Sequence, residues 1–308
     1  MSIFIKSQEY EIIEELGEGG NGKVYQVFNK KENKYYAIKS VRIKNLTEEQ
    51  VNIIENEAKL LSSIDSIYVV KYYNSSRDNE NFNILMEYCK GSDLKKFIID
   101  YKNKNEFINE KIIEKIILGL CLGVKEIHKN NLIHRDLKPE NIFINKEYEV
   151  KIGDFGIAKK LDFNNKYANT SIGTNNYMSP EVIKGENYNT KVDIWGIGCI
   201  LYELLTLNIC FESKSIYGFV DKIINKPHGK INSNIYSFKW QKLIDLLLEK
   251  EYKKRPDIDE LLKLLKNLKE KKTHSYSTRT SKIITEKEFN IKKKKMRIRC
   301  KNIFINFI

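Results

Sequence analysis

HRDLKPEN at residues 134–141, followed by DFG at residues 154–156, is the stretch that decides how this chain folds. Asp136 is a carboxylate that can receive a hydroxyl proton, and Lys138 is a cation that can contact a phosphate. Asn141 and Asp154 supply two oxygen ligands of the kind that Mg²⁺ prefers. Two unrelated polar turns would not match both loops in this order and at this separation. The stretch therefore predicts the groups that magnesium-assisted phosphoryl transfer needs.

Length and composition leave room for a large enzyme core. The chain has 308 residues, of which 41% are hydrophobic. Its formal net charge is +13, but twelve Lys/Arg against two Glu between residues 271 and 308 place ten of those charges in the tail. Because the basicity belongs to the tail and no nucleic-acid-binding motif accompanies it, we expect no stable nucleic-acid partner.

Cysteine spacing and apolar runs indicate the compartment. The five cysteines are widely spaced, without a Cys-x-x-Cys pair, which predicts neither a disulfide framework nor a zinc site. The N-terminus has no long apolar run of the kind found in signal peptides. The most apolar long run, from Val192 to Cys210, contains Asp193 and Glu203 and favours a buried helix over a membrane span. We expect a soluble, cytoplasmic protein, with a nuclear location as the alternative that the basic tail adds.

A glycine-rich stretch lies between two strand-like runs near the N-terminus. GEGGNGKV at residues 17–24 has the pattern Gly-x-Gly-x-x-Gly-x-Val, in which glycines let backbone N–H groups approach phosphate oxygens. A β-branched and aromatic strand follows where a dinucleotide fold needs a helix, so the pattern favours a hairpin. The nucleotide-contacting residues predicted here are Leu16, Gly17, Glu18, Gly19, Gly20, Asn21, Gly22 and Val24.

A lysine and a glutamate farther along the chain are predicted to form an ion pair. Lys39 lies in the Ala-Ile-Lys context of a phosphate-pairing lysine. TEEQ at residues 47–50 resembles a capped helix start, and Glu57 lies in the helix that follows. Glu55 is the alternative partner for Lys39, but a helix turns about 100° per residue, so only one of the two glutamates can face the sheet. We favour Glu57 because Leu61 then shares its inward face.

Two further strand-like runs, at residues 68–73 and 82–86, complete a predicted five-stranded antiparallel lobe. The connector after them is the expected adenine site, where backbone groups can meet the purine edge. Asp93 is equally suited to reach ribose hydroxyls or to cap the next helix. The residues predicted around the nucleotide in this region are Ala37, Met86, Glu87, Cys89 and Asp93.

Taken together, these motifs resemble the eukaryotic protein kinases. The resemblance implies an α+β, bilobal fold that binds ATP and Mg²⁺, with Mn²⁺ as a substitute ion, and that acts on protein substrates. The predicted parts are an N-terminal extension (1–9), a kinase domain (10–268) made of an N-lobe (10–86), a hinge (87–91) and a mainly helical C-lobe (92–268), and a basic, disordered tail (269–308).

The resemblance also implies scaffold roles for residues around the opening stretch. Glu181 is expected to pair with Arg255, and Asp193 to anchor the catalytic loop from below. His134 is interpreted as structural, with its ring packed under Phe155, since Asp136 already fills the proton-accepting role in the template. Each of these residues supports the reaction without taking part in it.

Acceptor choice and regulation are predicted from the same region. Lys138 within the opening stretch is typical of the serine/threonine branch, and Thr174 is expected to hydrogen-bond Asp136 and Lys138. A phosphate on Thr170, with Ser171 second, would add up to about two negative charges for Arg135 to meet. This expectation rests on Arg135 having no other partner beside Asp136.

Four stretches resemble the NIMA-related kinases within the serine/threonine branch: MEYC (86–89), KIGDFGIA (151–158), GTNNYMSPE (173–181) and LYELLTL (201–207). The resemblance implies a link to cell-cycle or microtubule processes. Asn175 departs from it, because proline is usual after Gly-Thr. Translation-initiation-factor kinases, divergent parasite-like kinases and a pseudokinase scaffold are the alternatives.

The sequence leaves the oligomeric state open, and the KKKK cluster at 292–295 predicts contact with anionic surfaces.

Overall fold

A computed structural model describes residues 2–19, 22–155 and 176–268 of the chain. Strands dominate its first third, and helices dominate the rest. The strands are β1 (Ser2–Ile5), β2 (Gln8–Gly19), β3 (Gly22–Asn29), β4 (Lys34–Arg42), β5 (Tyr72–Arg77), β6 (Asn81–Glu87), β7 (Ser92–Asp93), β8 (Ile142–Ile144) and β9 (Val150–Ile152). The helices are α1 (Glu48–Leu61), α2 (Leu94–Asn103), α3 (Glu110–Lys129), α4 (Pro180–Lys184), α5 (Lys191–Thr206), α6 (Ile216–Asn225) and α7 (Phe238–Leu247), and residues 258–268 are also helical.

The first six strands form one antiparallel sheet in the order β1-β2-β3-β4-β6-β5. The predicted count of five strands is therefore wrong, because residues 1–9 contribute an additional strand. Ile5 lies opposite Gln8 across a two-residue turn in which Lys6 and Ser7 have φ of 44° and 65°. Positive φ at both turn residues is the geometry that matches strand twist in a hairpin. Lys-Ser is not the usual Asn-Gly sequence for such a turn, so the hairpin carried no clear sequence signal.

The glycine-rich stretch is a hairpin, as predicted, since β2 and β3 pair through to Gly19 opposite Gly22. Gly22 has φ of 116°, and a Cβ there would lie 2.0 Å from the carbonyl oxygen of Ser40 in β4. Only glycine fits this position, because a side chain would meet both backbone strain and a neighbouring strand. Gly20 and Asn21, between them in the sequence, lie outside the described residues.

A smaller sheet and the helices build the second half of the fold. The order β7-β8-β9 places β8 directly after Asn141, and β9 ends two residues before Asp154. Helix α5 is buried along nearly its whole length, as predicted, whereas α3 buries nine of its 20 residues. None of the helices in the described ranges is long and apolar enough to cross a membrane.

Residues up to Leu261 form one compact unit, and the described residues of the second unit, 262–268, are helical. The described part thus agrees with the predicted α+β class, with a strand-rich first part and a helix-rich second part. The rest of the tail, from residue 269 onward, lies outside the described residues.

Candidate active site

The opening stretch folds into a loop that brings three predicted site residues together. Asn141 closes a short 3-10 turn, and its side-chain Nδ2 donates to the Asp136 carbonyl at 2.8 Å and to Asp136 Oδ2 at 3.1 Å. Lys138 Nζ lies 3.1 Å from the same Oδ2. Asp136 and Asn141 are only 9% and 4% exposed, so these charged and polar contacts are largely shielded from water. The arrangement orients the Asp136 carboxylate from two sides.

The backbone of this loop is strained, and side chains from α3 and α5 hold it in place. Arg135 has φ of 67°, a left-handed conformation that costs a side-chain-bearing residue about 1 to 2 kcal/mol. The carboxylate of Asp193, in α5, accepts from the Arg135 N–H at 3.0 Å and from the His134 N–H at 2.9 Å. His128 at the end of α3 binds the same carboxylate at 2.8 Å. These contacts agree with Asp193 as the predicted anchor.

Charge at Asp193 is maintained in spite of complete burial. Burial by itself raises the pKa of this carboxyl, but the hydrogen bonds and electrostatic interactions with His128 and His134 lower it overall. The ionised form therefore persists under the loop. His128 was not predicted from the sequence; its place in the last turn of a buried helix was the only signal it offered.

His134 has the structural role that the sequence predicted. Its ring lies 4.7 Å from the ring of Phe155, and its Nε2 lies 3.0 Å from the Gly153 carbonyl. Nδ1 accepts from the Asp136 N–H at 3.3 Å, so Nε2 carries the proton. Burial lowers the pKa of His134, which keeps the ring neutral and suits this pattern of one donor and one acceptor.

Lys39 and Glu57 are both buried, but they pair with other partners than each other. Among the described residues, Lys39 Nζ forms an ion pair with Asp154 Oδ1, and Glu57 Oε1 accepts from Arg135 Nη1 at 3.1 Å. The predicted Lys39–Glu57 pair is therefore replaced in this structure. Glu57 does face inward, on the same side of α1 as Leu61, whereas Glu55 is half-buried. The choice of glutamate was thus supported, and in this structure its carboxylate meets Arg135 in place of the predicted Lys39.

The Arg135–Glu57 pair also corrects the premise about regulation. The sequence analysis treated Arg135 as lacking a partner beside Asp136, whereas it already meets a carboxylate from α1. A second anion has to compete with Glu57 for this guanidinium. Thr170, Ser171 and Thr174, and Gly156 before them, lie outside the described residues, so their predicted roles stay predictions.

A bidentate ion pair joins Glu181 in α4 to Arg255, near the C-terminal end of the first compact unit. Arg255 Nη1 and Nη2 lie 2.7 and 2.8 Å from the two carboxylate oxygens of Glu181. The guanidinium also donates to the carbonyl of Glu249 at 2.8 Å and stands over the Trp195 ring at 4.9 Å. The pair was predicted and is confirmed, and both side chains are essentially without solvent exposure.

An apolar wall lies where the nucleotide was predicted. Ala37, Val70 and Met86 form one buried cluster, and Val24, Tyr88, Cys89 and Phe143 pack against it. Burial raises the pKa of the Cys89 thiol to about 12, so this residue stays an uncharged part of the wall. Val70 and Phe143 were missed from the sequence. Phe143 alternates with the fully buried Ile142 and Ile144 in β8, and that alternation was a signal that it faces a different surface.

Glu87 and Asp93 flank the connector with most of their polar groups already in use. The Glu87 N–H donates to the Lys71 carbonyl at 2.8 Å, and its carboxylate pairs with Lys151 at 2.8 Å. Asp93 caps α2 by accepting from the Lys96 N–H at 2.8 Å. Of the two roles left open for Asp93, the structure shows the helix cap.

The comparison with family models decides what this assembly of residues is. A model described as the protein kinase domain matches residues 10–265, which is most of the chain and includes every site residue named above. The chain belongs to the protein kinase domain family. The strained loop over Asp193, the buried Glu181–Arg255 pair and the apolar nucleotide wall are thus parts of a kinase domain.

Individual relatives place this kinase domain near the NIMA-related kinases. It is 34% identical over 259 residues to the probable serine/threonine-protein kinase nek2 of Dictyostelium discoideum, with 82% of this chain and 62% of the relative covered. It is 33% identical to mouse serine/threonine-protein kinase Nek1, with 83% and 21% covered, and 35% identical to human Nek5, with 84% and 37% covered. The predicted resemblance to NIMA-related kinases is confirmed. The chain spans between about one fifth and three fifths of the length of these relatives.

The predicted metal ligands of the kinase domain suit a hard cation. The Asn141 amide nitrogen also lies 3.4 Å from the Asp154 carbonyl, so the two ligand residues are neighbours. Asn141 would bind a cation through its amide oxygen, since its nitrogen donates to Asp136. In the described part of the chain, no three or more His, Cys, Asp or Glu side chains are grouped to hold a metal. One amide and one carboxylate suit Mg²⁺, which keeps waters and phosphate oxygens as its other ligands.

Proposed function

We propose that this kinase domain transfers the γ-phosphoryl group of ATP to serine and threonine hydroxyls of proteins. The observation that carries the proposal is the hydrogen-bonded meeting of Asp136, Lys138 and Asn141 beside Asp154. The names of the three relatives describe serine/threonine kinases, which supports the acceptor class. These relatives give no support to the translation-initiation-factor alternative.

The loop geometry assigns a task to each polar group. The Asp136 carboxylate, whose Oδ2 is held by Asn141, accepts a hydrogen bond from the acceptor hydroxyl. It takes the proton as the new oxygen–phosphorus bond forms and the bond from the γ-phosphorus to the oxygen that leaves with ADP breaks. Lys138 stands beside that oxygen and stabilises the negative charge on the transferred group. Asn141 and Asp154 would hold Mg²⁺, which would neutralise charge on the phosphates. Because the Asp136 carboxylate is largely shielded from water, its direction is set before the acceptor arrives.

Lys39 and Asp154 neutralise each other in this structure, and each has a different partner in the proposed reaction. Lys39 is 4% exposed at its side chain and Asp154 is 41% exposed, so the carboxylate is the side that solvent and ligands reach. We propose that Lys39 turns to phosphate oxygens and Asp154 to Mg²⁺ when the nucleotide binds. The Lys39 charge would then also be available to Glu57.

Transfer to a generic protein acceptor tests the proposal. The purified chain with ATP and Mg²⁺ is expected to yield phosphoserine or phosphothreonine, and Lys39→Met or Asp154→Ala is expected to reduce the rate by at least about 100-fold. Lys30→Met is the control, because that lysine is exposed and pairs only on the surface with Glu11. Equal incorporation by the wild-type chain and by Asp154→Ala would show that the proposed chemistry is wrong, and phosphotyrosine alone would overturn the acceptor class.

Regulation and location are proposed on narrower grounds. A phosphate on Thr170 would compete with Glu57 for Arg135 and so release Glu57 towards Lys39, which links the predicted phosphorylation to the predicted ion pair. If Thr170→Ala leaves the turnover of the purified enzyme unchanged, this route is wrong.

The four cysteines of the described part are free thiols, which supports the proposal of a cytoplasmic location.

A further inference from the structure

A buried carboxylate outside the catalytic loop is held by two donors from different parts of the fold. Glu203 lies in α5, and its side chain is 3% exposed. Lys95 Nζ donates to its Oε1 at 2.8 Å, and the Tyr177 hydroxyl donates to its Oε2 at 2.5 Å. An ionised carboxylate at this depth is costly unless it is paired and hydrogen-bonded on both oxygens. The buried charge of Glu203 therefore needs both donors.

The two donors come from different elements of the fold. Lys95 is the second residue of α2 and follows Asp93, which caps that helix. Tyr177 precedes the Met178-Ser179-Pro180-Glu181 segment, and Glu181 is fixed by its pair with Arg255. Burial, followed by the charge of Glu203 and then that of Glu140 in the catalytic loop, raises the pKa of Tyr177. The hydroxyl therefore stays protonated and remains a donor beside that loop.

We propose that Lys95 is a positioning residue for the protein acceptor, acting through Glu203 on Tyr177. The Lys95 cation holds the Glu203 carboxylate in place, and the carboxylate in turn holds Tyr177 and the backbone around it. This inference rests on the proposed function, because it assumes that the chain beside the catalytic loop receives a protein hydroxyl.

The geometry indicates an effect on the acceptor and not on ATP. Without Lys95, Glu203 keeps Tyr177 as its one donor among the described residues and has to turn towards water for a second. Its charge-assisted bond to Tyr177, of a kind about twice as strong as a bond between neutral groups, then weakens because the carboxylate leaves the position that Lys95 holds. Asp93 on the nucleotide side is held by the Lys96 N–H, which does not involve the Lys95 side chain. The loss should therefore appear at the acceptor.

Steady-state kinetics with each substrate varied in turn test the proposal. For Lys95→Met, we expect the KM for a peptide acceptor to rise by about tenfold, while the KM for ATP stays within about twofold. Lys95→Arg should restore most of the acceptor KM, because its guanidinium can still donate to Glu203. Lys102→Met is the matched control: Lys102 is on the same helix and also reaches beyond it, but it is exposed and bonds Asn208 Oδ1, at 3.1 Å, in place of Glu203.

A double-mutant cycle separates action through Glu203 from a general loss of stability. If Lys95 acts through Glu203, Lys95→Met adds less than about twofold to the acceptor KM in a Glu203→Gln background, and likewise in a Tyr177→Phe background. Should Lys95→Met fail to fold, Lys95→Gln, which keeps a donor without the charge, replaces it in the cycle. An unchanged acceptor KM in an active Lys95→Met enzyme, or an equal rise in both KM values, would overturn this proposal alone. A wild-type chain without transfer activity would instead overturn the proposed function.

Discussion

At the scale of single residues, the exposure of Asp154 sets it apart from two buried carboxylates that support the fold. The Asp154 side chain is 41% exposed and has one cationic partner among the described residues, whereas Asp193 and Glu181 are 1% and 2% exposed. Each buried carboxylate has its oxygens filled by donors from distant parts of the chain. A carboxylate saturated in this way cannot exchange its partners for a ligand, so of these three carboxylates that of Asp154 is suited to bind a metal.

The buried Glu181–Arg255 pair should be intolerant of losing one partner. Arg255→Met is expected to destabilise the domain by about 3 to 5 kcal/mol, because Glu181 would keep an uncompensated buried charge. Urea denaturation of the wild type and the variant measures the change in the free energy of unfolding. Lys254→Met next to it removes an exposed pair with Glu251 and should change stability by less than about 1 kcal/mol. Equal losses in the two variants would contradict the argument from burial.

At the scale of elements, α1 shows which structural features can be predicted from local sequence. The helix begins with a capping box, in which Gln50 N–H donates to Thr47 Oγ1 at 3.3 Å and Thr47 N–H donates to Gln50 Oε1 at 2.9 Å. Both that start and the inward face of Glu57 follow from local spacing. The partner of Glu57 does not, since Arg135 is 78 residues away and the choice between it and Lys39 depends on how the two parts of the fold meet.

Removing the cap tests how much α1 depends on its own first turn. Thr47→Ala is expected to lower the free energy of unfolding by about 1 kcal/mol, because it leaves a backbone N–H of the first turn without its acceptor. Thr47→Ser keeps the oxygen and should remain within about 0.5 kcal/mol of wild type. Thermal or denaturant unfolding of the three proteins gives the comparison. If the serine variant loses as much as the alanine variant, the hydrogen bond is not the cause.

At the scale of the whole molecule, the N-terminal strand joins both edges of the main sheet. β1 pairs with β2, and the Ser76 hydroxyl of β5 donates to the Phe4 carbonyl at 3.1 Å. Ile5 is 1% exposed in a core cluster with Tyr10 and Val27. The first strand in the sequence therefore also contacts the strand at the opposite end of the sheet order. This contact spans 72 residues and has no local signature.

Neighbouring substitutions in β1 test whether this strand contributes to the core. Ile5→Ala should cost about 2 to 5 kcal/mol of stability through lost burial and the cavity that remains. Phe4→Ala is the control, because Phe4 is 62% exposed and its backbone contact to Ser76 survives the change. The two losses are compared by denaturant unfolding. A similar small loss of stability in both variants would mean that β1 contributes little to the core.

The sequence by itself determined the fold class, the catalytic loop residues, the glycine hairpin, the inward glutamate and the Glu181–Arg255 pair. Local chemistry or a family motif marked each of these in the sequence. Only the tertiary structure decided the sixth strand, the partners of Lys39 and Glu57, the engagement of Arg135 and the link from Lys95 through Glu203 to Tyr177. The physical reason is the same in these cases: a charge or a strand edge can be satisfied by several candidates along the chain, and packing alone chooses among them.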